Sequence, residues 1–329
     1  MRESKRRWWA SKGLNRIWLE NWGIIMWTLG DVSSQAGKRF LITGGNSGVG
    51  YWAAVELARR GAEVVLACRD KARAEAAAQQ LKMDSGGGTA EVIVLDLASL
   101  DSVRRAAEEL LGRGVAFDGL INNAGVMAPP KRRETQDGFE LQFGTNVLGH
   151  YALTCRLMPI VTERVVTLSS IAHKRGRIAF EDLQSTKSYN PMRAYEQSKL
   201  GDLMFSFELE RKLRAAGSPV ISIAVHPGVA KTNLFRIGGS KGLGRIAEVV
   251  VQTSLGILFE SAAAGAIPTI FAATSPDAKG GGYYGPQGFK EMRGGDVGPA
   301  FVSAAAQDVA AQGRLWDVCA ELTGVELKS

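Results

Sequence analysis

A chain of 329 residues, 45% hydrophobic and 22% charged, has the composition of a soluble globular protein, which excludes disorder and a multi-span membrane protein. Three cysteines (Cys68, Cys155, Cys319) and three histidines (His150, His173, His226) stand far apart without metal-ligand spacing, so neither a disulfide scaffold nor a bound metal is expected. The net charge is +7, but five of those charges belong to the first sixteen residues, and the nearly neutral remainder offers nucleic acid no basic face.

Residues 1–36 read as a basic, Trp-rich tail. Arg2, Lys5, Arg6, Arg7, Lys12 and Arg16 lie beside Trp8, Trp9, Trp18, Trp22 and Trp27. Trp18, Trp22, Ile25, Met26 and Leu29 recur at intervals of three or four, which predicts an amphipathic helix. Its apolar stretch, residues 17–29, is interrupted by Glu20 and falls short of the roughly 20 residues a spanning helix needs. The embedded charge and the lack of a small-residue cleavage site argue against a signal peptide. Two roles stay open. The helix either lies at a membrane surface, with cations on anionic headgroups and indoles at the boundary, or packs on the body or a second subunit. The expected setting is cytoplasmic, with peripheral membrane contact through this tail.

From residue 37 to 329 short apolar runs alternate with long stretches rich in Ala, Glu, Arg and Leu. Strands are predicted at 39–43, 63–67, 91–95, 119–122, 164–168 and 220–225, and helices at 49–60, 71–82, 99–113, 137–158 and 193–216. Continuous apolar runs between helices suit parallel strands buried on both faces. A last strand is read at Gly282-Tyr283-Tyr284-Gly285-Pro286, giving seven parallel strands in one doubly wound α/β domain.

The first strand runs into Thr43-Gly44-Gly45-Asn46-Ser47-Gly48-Val49-Gly50 and then a helix. Glycines at a strand-to-helix turn let the backbone approach a pyrophosphate, and the helix N-terminus offers unpaired N–H groups and a positive dipole end. A tight packing turn would use the same residues, but the place after the first strand of a βαβ unit favours nucleotide binding. The spacing, TGxxxGxG, resembles that of the short-chain dehydrogenase/reductase family. The likeness runs along about residues 37–325, with retinol dehydrogenase-like members the most similar. It implies a single Rossmann-type domain.

The second strand ends Ala67-Cys68-Arg69-Asp70. An NAD site commonly places a carboxylate at that strand end, on the ribose 2′-OH. Cys68 holds that position and Arg69 follows, so NADP(H) is expected over NAD(H), because a guanidinium pairs with a 2′-phosphate that a carboxylate would repel. Asp96-Leu97 resembles the family's adenine-contacting pair, Asn123-Ala124-Gly125 its segment after the fourth strand, and Pro227-Gly228-Val229 with Thr232 its nicotinamide and diphosphate segment. His226 reads as structural.

Tyr195-Glu196-Gln197-Ser198-Lys199 puts a phenol and an ammonium at i and i+4 of one helix face. Alone this would be a solvated face. It gains weight from Ser169-Ser170 at a strand end and from Asn146, all in family order. A free tyrosine titrates near pH 10, so proton exchange at neutral pH needs cations beside it. The resemblance implies Tyr195 as acid/base, Ser170 on the substrate oxygen, Lys199 stabilising the phenolate and holding the nicotinamide ribose, and Asn146 anchoring a water chain. Ser169 is expected to be structural. Ser170 and Tyr195 are 25 residues apart, about twice the separation usual in the family. In the insert, His173 reads either as a substrate contact or as a hydrogen-bonded loop histidine.

Residues 233–260 are apolar and glycine-punctuated, which predicts a lid that excludes water during hydride transfer and a lipophilic alcohol or carbonyl substrate such as a retinoid, steroid, fatty or aromatic carbonyl. Apolar residues that merely pack the lid on the body would give the same composition. Two alternatives stand beside this NADP-dependent carbonyl reductase or alcohol dehydrogenase. One is a protochlorophyllide-type reductase, a group without the serine. The other is a non-catalytic NADP-binding sensor or scaffold. The resemblance also implies a homo-oligomer through the helices at 137–158 and 193–216.

Overall fold

Alternation along the first strand builds both layers of the protein. In β1 (Arg39–Thr43), Phe40 and Ile42 point to one face and Leu41 to the other, each at most 1% exposed. The computed structural model describes residues 27–228, 261–292 and 294–327. Following β1 are α1 (Gly48–Arg59), β2 (Glu63–Cys68), α2 (Lys71–Ser85), β3 (Ala90–Val94), α3 (Leu100–Gly112) and β4 (Phe117–Asn122). Next come a π-helical segment (Phe143–Leu148) running straight into α4 (Gly149–Leu157), then β5 (Val161–Leu168), α5 (Pro191–Ala215) and β6 (Ile221–Val225). The C-terminal part adds α6 (Ala262–Gly265), α7 (Ile267–Thr274), β7 (Tyr283–Pro286), β8 (Val297–Pro299), α8 (Ala304–Gln307) and α9 (Val309–Thr323).

The sheet has the order β3-β2-β1-β4-β5-β6-β7-β8. The seven expected strands pair in parallel, and β8 adds an eighth, antiparallel to β7. The expected count of seven is therefore one short. Val-Gly-Pro is too brief for a period and holds a residue that cannot donate to a ladder, so it carries no strand signal. One face of the sheet buries Leu41, Val65, Leu120 and Val165 under α3, α4, α5 and α9; the other buries Ile42, Leu66, Ile121 and Val166 under α1, α2 and α7.

Local signals set the helix ends. Asp70 caps α2 by accepting from Arg73 N at 3.1 Å, and Gly86 ends it at φ 80°. Asn190 caps α5, with Pro191 at its first position. The helix expected at 137–158 starts later, because Glu134 and Glu140 form a bridge and Phe143 N donates to the buried Glu140 carboxylate at 2.8 Å.

Trp27, read with the tail, belongs to the core. It is 5% exposed, bridges to Val297 and meets Phe271 edge-on at 5.3 Å. Residues 1–26 of the tail, the expected lid (233–260), Val229 and Thr232 lie outside the described residues. Among the described residues no helix is long and apolar enough to cross a membrane.

Candidate active site

Strand order reverses between β1 and β4, and there the carboxyl ends of the strands border a cleft of about 780 Å³. Gly44, Asn46, Ser47, Gly48 and Val49 form one wall. Gly44 (φ 65°) and Gly48 (φ 62°) take the left-handed conformation the turn needs. The turn is also pressed against its neighbours. A Cβ on Gly45 would lie 2.7 Å from Leu66 Cδ2, and one on Gly50 would lie 2.3 Å from Asn123 Nδ2. Gly50 thus serves the packing of α1 on the loop after β4 and does not line the cleft.

Thr43 ties that loop to the turn. Its Oγ1 accepts the N–H groups of Asn123 (2.9 Å) and Ala124 (3.0 Å), and Asn123 Nδ2 donates to Thr43 O (2.8 Å). With two donors on its oxygen, the Thr43 hydroxyl donates to His150 Nε2 at 2.9 Å. The His150 ring proton then sits on Nδ1 and goes to Asn146 O at 2.8 Å. Burial pushes His150 down to about 3, so the ring is neutral. His150 escaped the sequence reading; its position one helical turn after Asn146 was the available signal.

At the far end of the cleft lie Cys68, Arg69, Asp70 and Arg73. Asp70 is occupied twice, as the α2 cap and in an ion pair with Arg73 Nε at 3.2 Å. Among the described residues no carboxylate lies within ion-pair distance of Arg69. Burial pushes the Cys68 thiol up to about 11, against the pull of N–H groups from Gly44, Gly45 and Asn46. Asp96, Leu97, Asn123, Ala124 and Gly125 line the middle, and Pro227 and Gly228 the opposite wall. Asp96 Oδ1 accepts from Ala98 N at 3.0 Å, which fixes the strand end.

Ser170, Tyr195 and Lys199 line the same cleft. Ser169 and Ser170 both line it but differ in their contacts. Ser169 Oγ is buried and donates to Lys199 O at 2.6 Å, whereas Ser170 caps the turn Ile171–Arg175, its Oγ accepting from Ala172 N at 3.2 Å. Lys199 is 5% exposed and donates to Leu168 O (2.9 Å) and Asp202 Oδ2 (2.8 Å). Burial alone would push this ammonium down; Asp202 and Tyr195 together outweigh it, and Lys199 is raised and stays charged.

Asn146 stands behind the wall, fully buried. Its Oδ1 accepts from Val126 N (2.8 Å) and its Nδ2 donates to Val126 O (3.0 Å) and Ser198 Oγ (2.9 Å), clamping the loop after β4 onto α5. His173 is buried, with Nδ1 on Ser170 O at 2.7 Å and its ring edge-on to Tyr283 at 5.2 Å, so it secures the serine turn from behind. His226 is buried too, its Nδ1 accepting from Gly228 N at 3.2 Å. Ile171, Met127 and Met192 also line the cleft and were not singled out in the sequence, because isolated apolar residues in loops and at a helix start carry no periodic signal.

The residues present fit a dinucleotide. The glycine turn leaves no room for side chains, the helix N-terminus opens on the cleft, and a basic group waits at the end of β2. Turn and phenol–ammonium pair face each other across one cleft at the carboxyl ends of parallel strands, as in nucleotide-dependent oxidoreductases. Residues 38–241 match the family model of the short chain dehydrogenases, and the chain belongs to that family. Within it the chain is retinol dehydrogenase-like. It is 39% identical to retinol dehydrogenase 14 of Mus musculus over 312 residues, 90% of this chain and 89% of that protein. It is 34% identical to polyprenol dehydrogenase of Danio rerio over 330 residues, 95% of this chain and 97% of that protein. A solved structure of an uncharacterized protein from Mycobacterium Paratuberculosis superposes with a TM-score of 0.77 at 42% identity, covering 93% of this chain and all of that one. The protein is an NAD(P)-dependent oxidoreductase.

Proposed function

We propose that this protein interconverts a lipophilic alcohol and its carbonyl compound with NADP(H). The observation that carries the reading is the meeting of Ser170, Tyr195 and Lys199 with the glycine turn in one cleft. When bound, the dinucleotide would supply or accept the hydride. Tyr195 gives the proton to the carbonyl oxygen in reduction and takes it back in oxidation. Ser170 Oγ donates a hydrogen bond to the same oxygen and holds it beside the phenol. Lys199 favours the phenolate by its charge and keeps one N–H beyond Leu168 O and Asp202 for the nicotinamide ribose. Asn146 anchors the water chain of the proton path, and its side-chain clamp on Val126 keeps Gly125 against the cleft.

Arg69 supports NADP(H), since a guanidinium without a carboxylate partner at the end of β2 suits a 2′-phosphate. Asp96 and Leu97 would meet the adenine, and the segment from Pro227 through Gly228, Val229 and Thr232 the nicotinamide and diphosphate. The apolar residues lining the cleft, Met127, Ile171 and Met192, and the retinol and polyprenol named for the relatives favour a lipophilic substrate. On the same reading the basic tail makes the peripheral membrane contact, and α4 and α5 form a homo-oligomer interface.

The test is NADPH consumption across a panel of retinal, steroid, fatty and aromatic carbonyls, with Tyr195→Phe beside the wild type. Turnover should appear with apolar members and disappear in the variant, whose NADPH affinity stays within a few-fold. Unchanged turnover in Tyr195→Phe would remove the mechanism.

A further inference from the structure

α5 carries an ionised residue for which the reaction outlined above has no role. Asp202 follows Lys199 by three residues, and its carboxylate lies 2.8 Å from Lys199 Nζ, with side chains 2% and 7% exposed. Among the described residues its other oxygen, Oδ1, has no hydrogen-bond partner. A buried carboxylate with one donor is poorly solvated, and among the described residues its compensation is the ammonium it touches. The converse matters more for the chemistry. A negative charge in contact with Lys199 offsets the positive field through which Lys199 would favour phenolate at Tyr195.

We propose that Asp202 is a positioning residue of the Tyr195–Lys199 pair: it fixes Lys199 Nζ against the end of β5 and, by offsetting its charge, sets the pH at which the pair exchanges its proton. This rests on Tyr195 being the acid/base. While Asp202 is ionised, the ion pair is neutral overall; when Asp202 takes a proton, Lys199 acts with its full charge. Burial pushes the Asp202 carboxyl up to about 6, although Lys199 pulls it down, so the change of charge falls within a working range of pH.

Of the other ionisable groups around the trio, His150, Cys319 and Tyr283 do not titrate there. His150, beside Lys199 from α4, is pushed down to about 3 by burial and is neutral. Cys319, facing Asp202 from α9, and Tyr283, facing Tyr195 from β7, are pushed up by burial and keep their protons. His173 on the serine turn faces Tyr283 and is lowered by burial.

Asp202→Asn keeps the shape and an acceptor for Lys199 Nζ but removes the negative charge that opposes the ammonium. The acidic limb of alcohol oxidation should move down by about one pH unit or more, and carbonyl reduction should weaken correspondingly on the alkaline side. NADPH affinity should stay within about threefold, because the donor toward the ribose is retained. A second readout needs no turnover: the ultraviolet tyrosinate signal of the full-length protein with NADP⁺, taken as the difference from the same protein carrying Tyr195→Phe. That titration should move down by a similar amount in Asp202→Asn. If the asparagine variant does not fold, Asp202→Ser carries the same expectation. Turnover with an unmoved limb and an unmoved tyrosinate titration would overturn the proposal and reduce Asp202 to a structural partner. A shifted titration in a protein that turns over no carbonyl would instead uphold the role of Asp202 and sink the assigned reaction.

Discussion

Acidification should destabilise this protein through His150 in particular, and the size of the effect can be worked out. The ring is buried with both nitrogens engaged, Nε2 receiving the Thr43 hydroxyl and Nδ1 donating to Asn146 O. A second proton would have to go on Nε2, where it would meet the hydroxyl as a competing donor and Lys199 as a like charge. Folded His150 accordingly takes its second proton only near pH 3, against 6.5 for an unperturbed ring. A folded value below the unfolded one means full stability above pH 6.5 and a growing loss from there down to about 3, because the unfolded chain binds the proton first. At pH 5 the loss from this one ring is about 2 kcal/mol. Urea unfolding of wild type and His150→Gln at pH 7.5 and pH 5 measures it. The variant should start less stable but lose about 2 kcal/mol less on acidification. His226, pushed down to about 3 by burial, contributes equally to both proteins and cancels. Equal losses in the two proteins would mean that His150 is not held neutral, and the tautomer assignment from Thr43 to Asn146 would fall with it.

Two substitutions probe the cofactor groove. Arg69→Ala should weaken NADPH binding by roughly tenfold or more while leaving NADH within a few-fold, as expected for one charge-assisted hydrogen bond to a 2′-phosphate; equal losses in paired titrations would contradict that assignment. Gly50→Ala puts a methyl 2.3 Å from Asn123 Nδ2, in a helix where alanine would otherwise be favourable. It should cost about 1–3 kcal/mol in unfolding and weaken dinucleotide binding measurably, by displacing the Asn123 bond to Thr43 O. A variant that binds NADPH as tightly as wild type would show that this close approach is not needed.

Much of the site was legible in the chain because its signals are local. Thr43 through Gly50 can be read as a cofactor turn because positive-φ glycines are needed between a buried strand and a helix, and Gly44 and Gly48 have that geometry. Tyr195 and Lys199 could be paired because four residues make about one helical turn, whereas Ser170 was preferred to Ser169 only through the family resemblance. Apolar runs of four to six residues marked the parallel strands for the same reason, because the central ones are buried on both faces, while β3 at the sheet edge leaves Val94 exposed.

What the chain did not disclose depends on partners distant in sequence. β8 exists because Val297, Gly298 and Pro299 find the free edge of β7, and nothing in three residues announces an edge. Trp27 looks like a membrane-facing indole beside a basic cluster until Phe271, more than two hundred residues later, supplies the surface that covers it. Asn146 is a recognisable polar residue, yet only the fold shows it clamping Val126 and held by His150, because those bonds join a loop, a helix and the first strand. Asp202 reads as one more acid on a long helix. Burial against α9 removes the water that would have screened it, and that alone turns an ordinary i,i+3 neighbour of Lys199 into a charge the ammonium must feel. Sequence therefore determined the chemistry that single turns and strands can carry, and tertiary packing determined which of those charges and rings are kept from solvent.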